Sequence, residues 1–217
     1  KLAEESDEAK KKIWFGVLDT MMSIHNQDWQ ALDLAFLGVP ADNDFIGHQI
    51  RFWDRVSALN DEPMPDILVE SRQWLLDNRF TPERLSLCWG DARLGNMIYQ
   101  GVDVVAALDW ELACIGDPES DLAWFAHTDW ASSIGKSSGA IPRLAGLPSI
   151  EETIAYYEQL SGKSVENFRY YDVFAAYRLA VVYTRVESDE RYITRSGGKK
   201  GELTKTHFAK LDELIRR

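Results

Sequence analysis

The sequence has few cysteines, no surplus of basic residues and no long apolar run. Its 217 residues include two cysteines, Cys88 and Cys114, which are too few for a disulfide framework and lack the spacing of a zinc site. Because such chains are typical of reducing compartments, the expected location is the cytoplasm. No apolar run approaches the ~18–20 residues of a membrane-spanning helix, and the charged N-terminus does not resemble a signal peptide. No membrane association is expected.

The charge balance argues against a nucleic-acid partner. The chain has 24 Lys and Arg residues against 35 Asp and Glu residues, for a formal net charge of −11. Nucleic-acid-binding proteins usually show the opposite balance. An anionic ligand would therefore need a metal ion or a local cluster of basic residues to offset this charge. The 45% hydrophobic content, with eight Trp residues, predicts a folded globular chain rather than a disordered one.

Apolar periodicity predicts a mostly helical chain with a small β element. The strand predictions rest on short apolar runs separated by Gly and Asp. Residues 131–148 are rich in Gly, Ser and Pro, and we interpret them as a lid or substrate-binding loop. Helices are predicted near 3–28, 45–59, 67–76, 118–128, 149–161, 166–187 and 202–216, and strands near 85–89, 97–99 and 104–108. The predicted fold class is α+β, mostly helical, with a small central β-hairpin.

The residues with the clearest chemistry lie in a catalytic segment over residues 85–125. Asn96 begins one predicted strand and Asp109 ends the next. A hairpin centred near residue 102 would place them opposite each other, with Cα atoms ~4.5–5.5 Å apart. An amide oxygen and a carboxylate would then converge, and such ligands suit Mg²⁺. Asp91, on the loop entering the hairpin, would accept a proton from a hydroxyl aimed at that metal.

The segment contains two motifs, Trp89-Gly-Asp-x-Arg-x-Gly-Asn96 and Leu108-Asp-Trp-Glu-x₄-Gly-Asp-Pro-x₂-Asp-Leu-Ala123. They resemble those of the aminoglycoside-phosphotransferase-like kinase family, most closely the branch associated with acyl-CoA dehydrogenases. The resemblance covers nearly the whole chain. It implies the helical C-terminal lobe of a protein-kinase-like fold over residues 1–217.

The resemblance also implies roles for individual residues. Asp91 matches the catalytic base, whereas Asn96 and Asp109 match the ligands of Mg²⁺, with ATP as the phosphoryl donor. Arg93 lies between them in the motif as a supporting residue. Asp121 is expected to support the catalytic loop.

Two more residues have open roles. Glu111 is either a partner of the metal ligands or an exposed acid. Arg178 lies on an apolar helical stripe, where an unpaired charge is costly. We predict that Arg178 neutralises Asp121 or Glu111; the alternative is that its charge reaches solvent at the edge of the stripe. The four histidines lack metal-ligand spacing and are interpreted as structural or surface residues.

The sequence departs from the family pattern in two ways. Trp89 stands where the family usually has His, and we expect it to fill the space while losing a hydrogen bond. No Gly-rich nucleotide loop or strand Lys occurs, so we interpret the chain as the C-terminal lobe with the N-terminal nucleotide-binding lobe absent. Such a chain should be a weak kinase by itself. Its uncovered docking surface would favour a homodimer.

The predicted function is ATP-dependent phosphoryl transfer to the hydroxyl of a small molecule. The associated branch favours a hydroxy-acyl or other hydroxylated metabolite as the acceptor, and no substrate-binding residue is assigned. Two alternatives stay open. One is a non-catalytic kinase-like binding module, and the other is a metal-dependent phosphohydrolase that uses the same carboxylates.

Overall fold

The computed structural model describes residues 2–60, 63–133, 142–189, 191 and 201–217. Helices and short strands in these ranges follow the predicted order, with differences at their ends. The helices are α1 (Asp7–His25), α2 (Phe45–Ser57), α3 (Asp66–Asp77), α4 (Glu119–Ser133), α5 (Ile150–Ser161), α6 (Phe168–Ser188) and α7 (Glu202–Arg216). The strands are β1 (Ser86–Cys88), β2 (Met97–Gln100), β3 (Asp103–Ala107) and β4 (Cys114–Gly116).

The chain divides into two compact units. The first comprises residues 1–39, 82–129 and 143–168, and the second comprises residues 40–81, 130–142 and 169–217. The first unit contains the four strands, α1 and α5 together with most of α4. The second contains α2, α3, α7 and most of α6. All the residues of the predicted catalytic segment belong to the first unit.

The β structure consists of two small antiparallel sheets rather than the single hairpin that the sequence predicts. β2 pairs with β3, and β1 pairs with β4. The sequence pattern does not predict β4, because three residues are too few to show an alternating pattern. Its pairing with β1 connects the two ends of the segment that carries the motifs. Both ends of the candidate site are therefore anchored to the same sheet.

The hairpin register differs from the predicted one by one residue. Met97 pairs with Ala107, and the Leu108 amide donates a hydrogen bond of 2.8 Å to the Asn96 carbonyl oxygen. Asn96 therefore lies opposite Leu108, and Asp109 follows one residue later. The turn pairs Gln100 with Asp103, and one additional residue in β3, at the irregularity between Ile98 and Tyr99, moves the partner of Asn96 from residue 107 to Leu108, one short of Asp109.

The core of the first unit is built on α1. The buried face of this helix meets β1, β3 and α5. The Trp14 indole donates a hydrogen bond of 3.0 Å to Thr153 Oγ1, and its ring lies 4.5 Å from that of Phe125. The fully buried residues of α1 recur at the helical spacing seen in the sequence: Trp14, Val17, Leu18 and Met21. This packing holds α1 and α5 beside the catalytic segment.

The predicted lid or substrate loop over residues 131–148 is wrong in its first three residues. α4 continues to Ser133, since Ala131 and Ser133 are buried and packing outweighs the weak helix propensity of serine. Residues 134–141 lie outside the described residues. Residues 142–148 contain neither helix nor strand, and their role as a lid stays a prediction.

In the second unit, α2 and α3 are joined by a bidentate ion pair. Arg72 donates hydrogen bonds of 2.6 and 2.7 Å to the two carboxylate oxygens of Asp54. α7 packs against α3. Among the described residues, no helix is both long and apolar enough to cross a membrane.

Candidate active site

Asp91 is held by donors on both of its carboxylate oxygens. Its Oδ1 accepts a hydrogen bond of 2.7 Å from the Trp124 indole. Its Oδ2 accepts hydrogen bonds of 2.6 Å from the Asn96 amide and 3.0 Å from Arg93 Nε. The side chain is 15% exposed. The structure therefore brings Asp91, Asn96 and Arg93 together, with the Asp91 carboxylate fixed in orientation and still reachable from solvent.

Asp109 lies at the end of the hairpin in a left-handed backbone conformation, with φ 57° and ψ 64°. Its carboxylate is 57% exposed, and Oδ2 is 4.0 Å from Arg93 Nη2. Arg93 thus lies between the Asp91 and Asp109 carboxylates and offsets part of their charge. Left-handed non-glycine residues are uncommon, because the surrounding structure must compensate their backbone strain. They often occur at functional sites. Here the conformation follows directly after β3.

Asn96 and Asp109 present the oxygen donors that a magnesium ion prefers. The Asn96 nitrogen donates to Asp91, so its amide oxygen is the atom that would bind a cation. Asp109 would add a carboxylate oxygen from the end of β3. Two protein oxygens leave most of the coordination sphere to water and phosphate, which is how proteins commonly hold Mg²⁺. The donor chemistry of these residues therefore fits the ion that the sequence predicts.

The turn before Asp91 is held from behind by buried Asp121. The Asp121 carboxylate accepts hydrogen bonds of 2.6 and 2.8 Å from the backbone N–H groups of Trp89 and Gly90. It also lies 3.0 Å from His25 Nε2, and His25 Nδ1 lies 3.0 Å from the Tyr157 hydroxyl. The structure thus places Asp121 against the loop that it is predicted to support.

His25 is a structural residue, one of the two roles that the sequence analysis allows it, but its partners Asp121 and Tyr157 are not predicted. Motif spacing does not relate His25 to Asp121, because 96 residues separate them. The ligand atoms of His25, Cys88 and Asp121 lie within 4.8 Å of one another. Both ring nitrogens and both carboxylate oxygens are already hydrogen-bonded, however, so this cluster supports the loop and is not proposed as a metal site.

Trp89 makes a hydrogen bond of its own. The fully buried indole donates a 2.7 Å hydrogen bond to the Leu108 carbonyl oxygen, directly before Asp109. The expectation that tryptophan at this position loses a hydrogen bond is therefore wrong. The large side chain reaches the residue that follows β3, whereas the backbone N–H of Trp89 donates to Asp121. Trp89 thereby connects the loop of Asp91 with the segment of Asp109.

Glu111 and Arg178 are the remaining predicted residues. Glu111 is exposed on a short 3₁₀ helix, Trp110–Leu112. Arg178 is buried in the second unit, with its guanidinium 5.1 Å from the centre of the Trp53 ring, so the alternative of a solvent-reaching charge is wrong. Its predicted ion pair with Asp121 or Glu111 joins residues of different units and stays a prediction.

Gly90 is required by the shape of the catalytic loop. Its φ is +87°, and a Cβ at this position would lie 2.0 Å from the Leu112 carbonyl oxygen. We expect Gly90→Ala to lower the thermal midpoint and to disturb the Asp91 turn, because backbone strain and a backbone clash add together. Gly101→Ala is the matched control, since Gly101 has φ +64° but open space around it.

The Gly101→Ala control should lose only the ~1–2 kcal/mol of stability that an alanine in a left-handed conformation costs. Thermal unfolding followed by circular dichroism measures both variants. Because of the clash, the thermal midpoint should fall clearly further in Gly90→Ala than in Gly101→Ala. Equal losses for the two variants would show that the loop relaxes away from Leu112.

The fold and this arrangement define a class, the kinase-like phosphotransferases. The sequence profile of the Phosphotransferase enzyme family matches residues 2–158, and the chain belongs to this family. The predicted resemblance and the predicted fold, a mostly helical α+β lobe of the kinase-like type, are confirmed.

A curated relative carries the name of the branch that the sequence predicted. The chain is 28% identical over 217 residues to Acyl-CoA dehydrogenase family member 10 of Mus musculus. The match includes 95% of this chain and 19% of that protein, so the chain spans about a fifth of this relative.

Solved structures show the same fold. A crystal structure from Ralstonia eutropha that carries the provisional name aminoglycoside phosphotransferase matches with a TM-score of 0.72 and 22% identity, over 98% of this chain and 65% of that one. A Plasmodium vivax ethanolamine kinase matches with a TM-score of 0.55 and 16% identity, over 96% of this chain and 61% of that one. At these identities the likeness concerns the fold alone.

Proposed function

We propose that this chain carries the catalytic residues of an ATP- and Mg²⁺-dependent kinase that phosphorylates a hydroxyl group of a small molecule. The observation that supports it most is the Asp91 carboxylate, fixed by Trp124 and Asn96 and separated from Asp109 by Arg93. A proton acceptor and two cation ligands at one end of a hairpin are what phosphoryl transfer requires.

Asp91 orients the acceptor hydroxyl and takes its proton. The Trp124 indole and the Asn96 amide keep the carboxylate in one orientation, so little reorganisation is needed when the acceptor binds. Asn96 and Asp109 hold Mg²⁺ through their side-chain oxygens. When bound, that ion neutralises phosphate charge. In a chain of net charge −11, this neutralisation matters for binding a polyanionic nucleotide.

Arg93 has a positioning role in this mechanism. Its guanidinium donates to Asp91 and lies near Asp109, so it keeps two like charges from repelling each other. Asp121 and His25 are buried behind the catalytic loop. Asp121 accepts hydrogen bonds from the backbone N–H groups of Trp89 and Gly90, and His25 contacts Asp121. These residues set the position of Asp91 without touching the substrate.

The acceptor is proposed by analogy. The ethanolamine kinase neighbour acts, by its name, on a small hydroxylated amine. The curated relative is an acyl-CoA dehydrogenase family member. A hydroxy-acyl compound or another hydroxylated metabolite therefore suits the site as acceptor, and fold-level analogy is the basis for this step.

The metal role is tested with Asp109→Asn in the intact protein. We expect Mg²⁺-dependent ATP binding, measured by calorimetry, to weaken about 10- to 100-fold when the carboxylate of this site is lost. EDTA should abolish the Mg²⁺-dependent part of ATP binding by the unaltered protein. Asp103→Asn is the control, because Asp103 is an exposed acid on the same hairpin that pairs with Lys12. Unchanged Mg²⁺ dependence in Asp109→Asn would contradict the assignment of this ligand.

The reaction is tested by incubating the intact protein with Mg²⁺, ATP and a panel of hydroxylated small molecules. ADP formed only when an acceptor is present supports the kinase. Free phosphate released without an acceptor supports a phosphohydrolase. Nucleotide binding with neither product supports a binding module.

A further inference from the structure

The two cysteines of the chain face each other across the sheet of β1 and β4. Cys88 ends β1 and Cys114 begins β4, and they are direct partners in the antiparallel register. Directly opposed residues of antiparallel strands have Cα atoms ~4.5–5.5 Å apart, which lies within the ~4.4–6.8 Å range of disulfides. The strand register is therefore compatible with a disulfide between these two residues.

Gly116 leaves open the space on the side of the sheet where both sulfurs lie. It is two residues after Cys114, on the same face of β4. A Cβ at Gly116 would lie 3.7 Å from the Cys114 sulfur and 3.8 Å from the Cys88 sulfur. Both sulfurs thus border one small volume that no side chain of residue 116 fills. Cys88 is fully buried, whereas Cys114 is partly exposed, so Cys114 is the more accessible of the two residues.

We propose that Cys88 and Cys114 are a modification site that forms a reversible intrachain disulfide by exchange with a small-molecule disulfide such as oxidised glutathione. The Cys114 thiolate attacks one sulfur of the reagent, whose S–S bond breaks and releases one thiolate. The Cys88 thiolate then attacks the Cys114 sulfur, and the second small thiolate leaves. Two protein thiols are oxidised and one disulfide is reduced to two thiols, with the two protein protons passing to the departing thiolates.

The second step should depend on pH. The hydrogen bond with Cys114, followed by burial, raises the pKa of the Cys88 thiol. In the mixed disulfide the Cys114 thiol no longer exists, but burial still keeps little Cys88 in the thiolate form near neutral pH, and raising the pH increases the thiolate concentration. The attack of Cys88 on the Cys114 sulfur should become faster as the pH rises, because the thiolate is the attacking form.

The bond would connect the two ends of the segment that contains Asp91, Asn96 and Asp109. The Cys88 sulfur lies 3.5 Å from the Asp117 carbonyl oxygen and within 4.8 Å of the His25 and Asp121 ligand atoms. Oxidation therefore changes the surroundings of His25 and Asp121, the residues that support the Trp89–Gly90 turn. Any effect on catalysis rests on the proposed function, whereas formation of the bond does not.

The experiment equilibrates the intact protein, or this chain if it folds alone, with mixtures of reduced and oxidised glutathione. Within the chain no other intrachain pair exists, because it has two cysteines. We expect a mass loss of about 2 Da for the two thiol hydrogens, reversed by dithiothreitol. Trypsin should then give residues 85–93 linked to residues 94–136. Cys114→Ser is the control and should show neither change.

A second measurement tests whether the folded geometry favours the bond. The glutathione equilibrium constant of the native protein should exceed that of the urea-unfolded protein by about tenfold or more, since the fold already places the sulfurs together. A lower native constant, a stable glutathione adduct on Cys114, or dimers linked between chains would overturn the proposal. These readouts need no kinase activity, so failure of the proposed function would be seen separately.

Discussion

Replacing Asp91 by asparagine is expected to lower kcat by about 10²- to 10⁴-fold, the usual range for loss of a general base. The affinity for Mg²⁺-bound nucleotide should change little, because Asp91 acts on the acceptor hydroxyl and the proposed metal ligands are Asn96 and Asp109. A loss confined to kcat is the pattern of an interaction made in the transition state. Initial rates of ADP formation and calorimetric nucleotide titration measure the two quantities.

The substitution also has a structural effect that must be measured beside the rate. The asparagine oxygen can still accept from the Trp124 indole, but its NH₂ group would face the donors of Asn96 and Arg93. We expect a stability loss of about 1–3 kcal/mol from these unmatched donors. Asp103→Asn is the control for removing one negative charge from the same hairpin. Equal losses of nucleotide affinity and kcat would assign Asp91 a metal-binding or structural role instead.

Replacing Asp121 by alanine is expected to cause the largest stability loss among these variants. The buried carboxylate accepts from the backbone N–H groups of Trp89 and Gly90 and contacts His25. Its removal leaves three buried polar groups without this partner, which costs about 3–5 kcal/mol in comparable buried networks. For a chain of this size, that corresponds to a thermal midpoint about 6–20 °C lower.

The matched variants separate charge from hydrogen bonding at this position. Asp121→Asn keeps one acceptor oxygen and should lose an intermediate amount of stability. Glu111→Gln removes an exposed acid from the neighbouring segment and should shift the midpoint by no more than about 2 °C. Thermal unfolding followed by tryptophan fluorescence measures all three. An Asp121→Ala midpoint equal to that of Glu111→Gln would show that this network does not stabilise the loop.

The elements with strong periodicity were predictable. The predicted range 202–216 agrees with α7 (Glu202–Arg216), and the prediction of 149–161 differs from α5 (Ile150–Ser161) by one residue. Both helices have apolar stripes, and α5 begins at a Ser149 capping box and ends at Gly162. Stripes and caps are local features, so a single sequence carries enough information to place them.

The sequence by itself determined the fold class, the family resemblance and the choice of Asp91, Asn96 and Asp109 as candidates, because motif spacing is a local property. The tertiary structure alone decided the pairing of β1 with β4, the one-residue register shift that sets Asn96 opposite Leu108, and the contact of His25 with Asp121. Each of these depends on residues that are distant in the chain or on how strands pack. Hydrophobic periodicity describes residues that are close in the sequence. It cannot predict these contacts, because a buried polar group finds its hydrogen-bond partner only once the chain has folded.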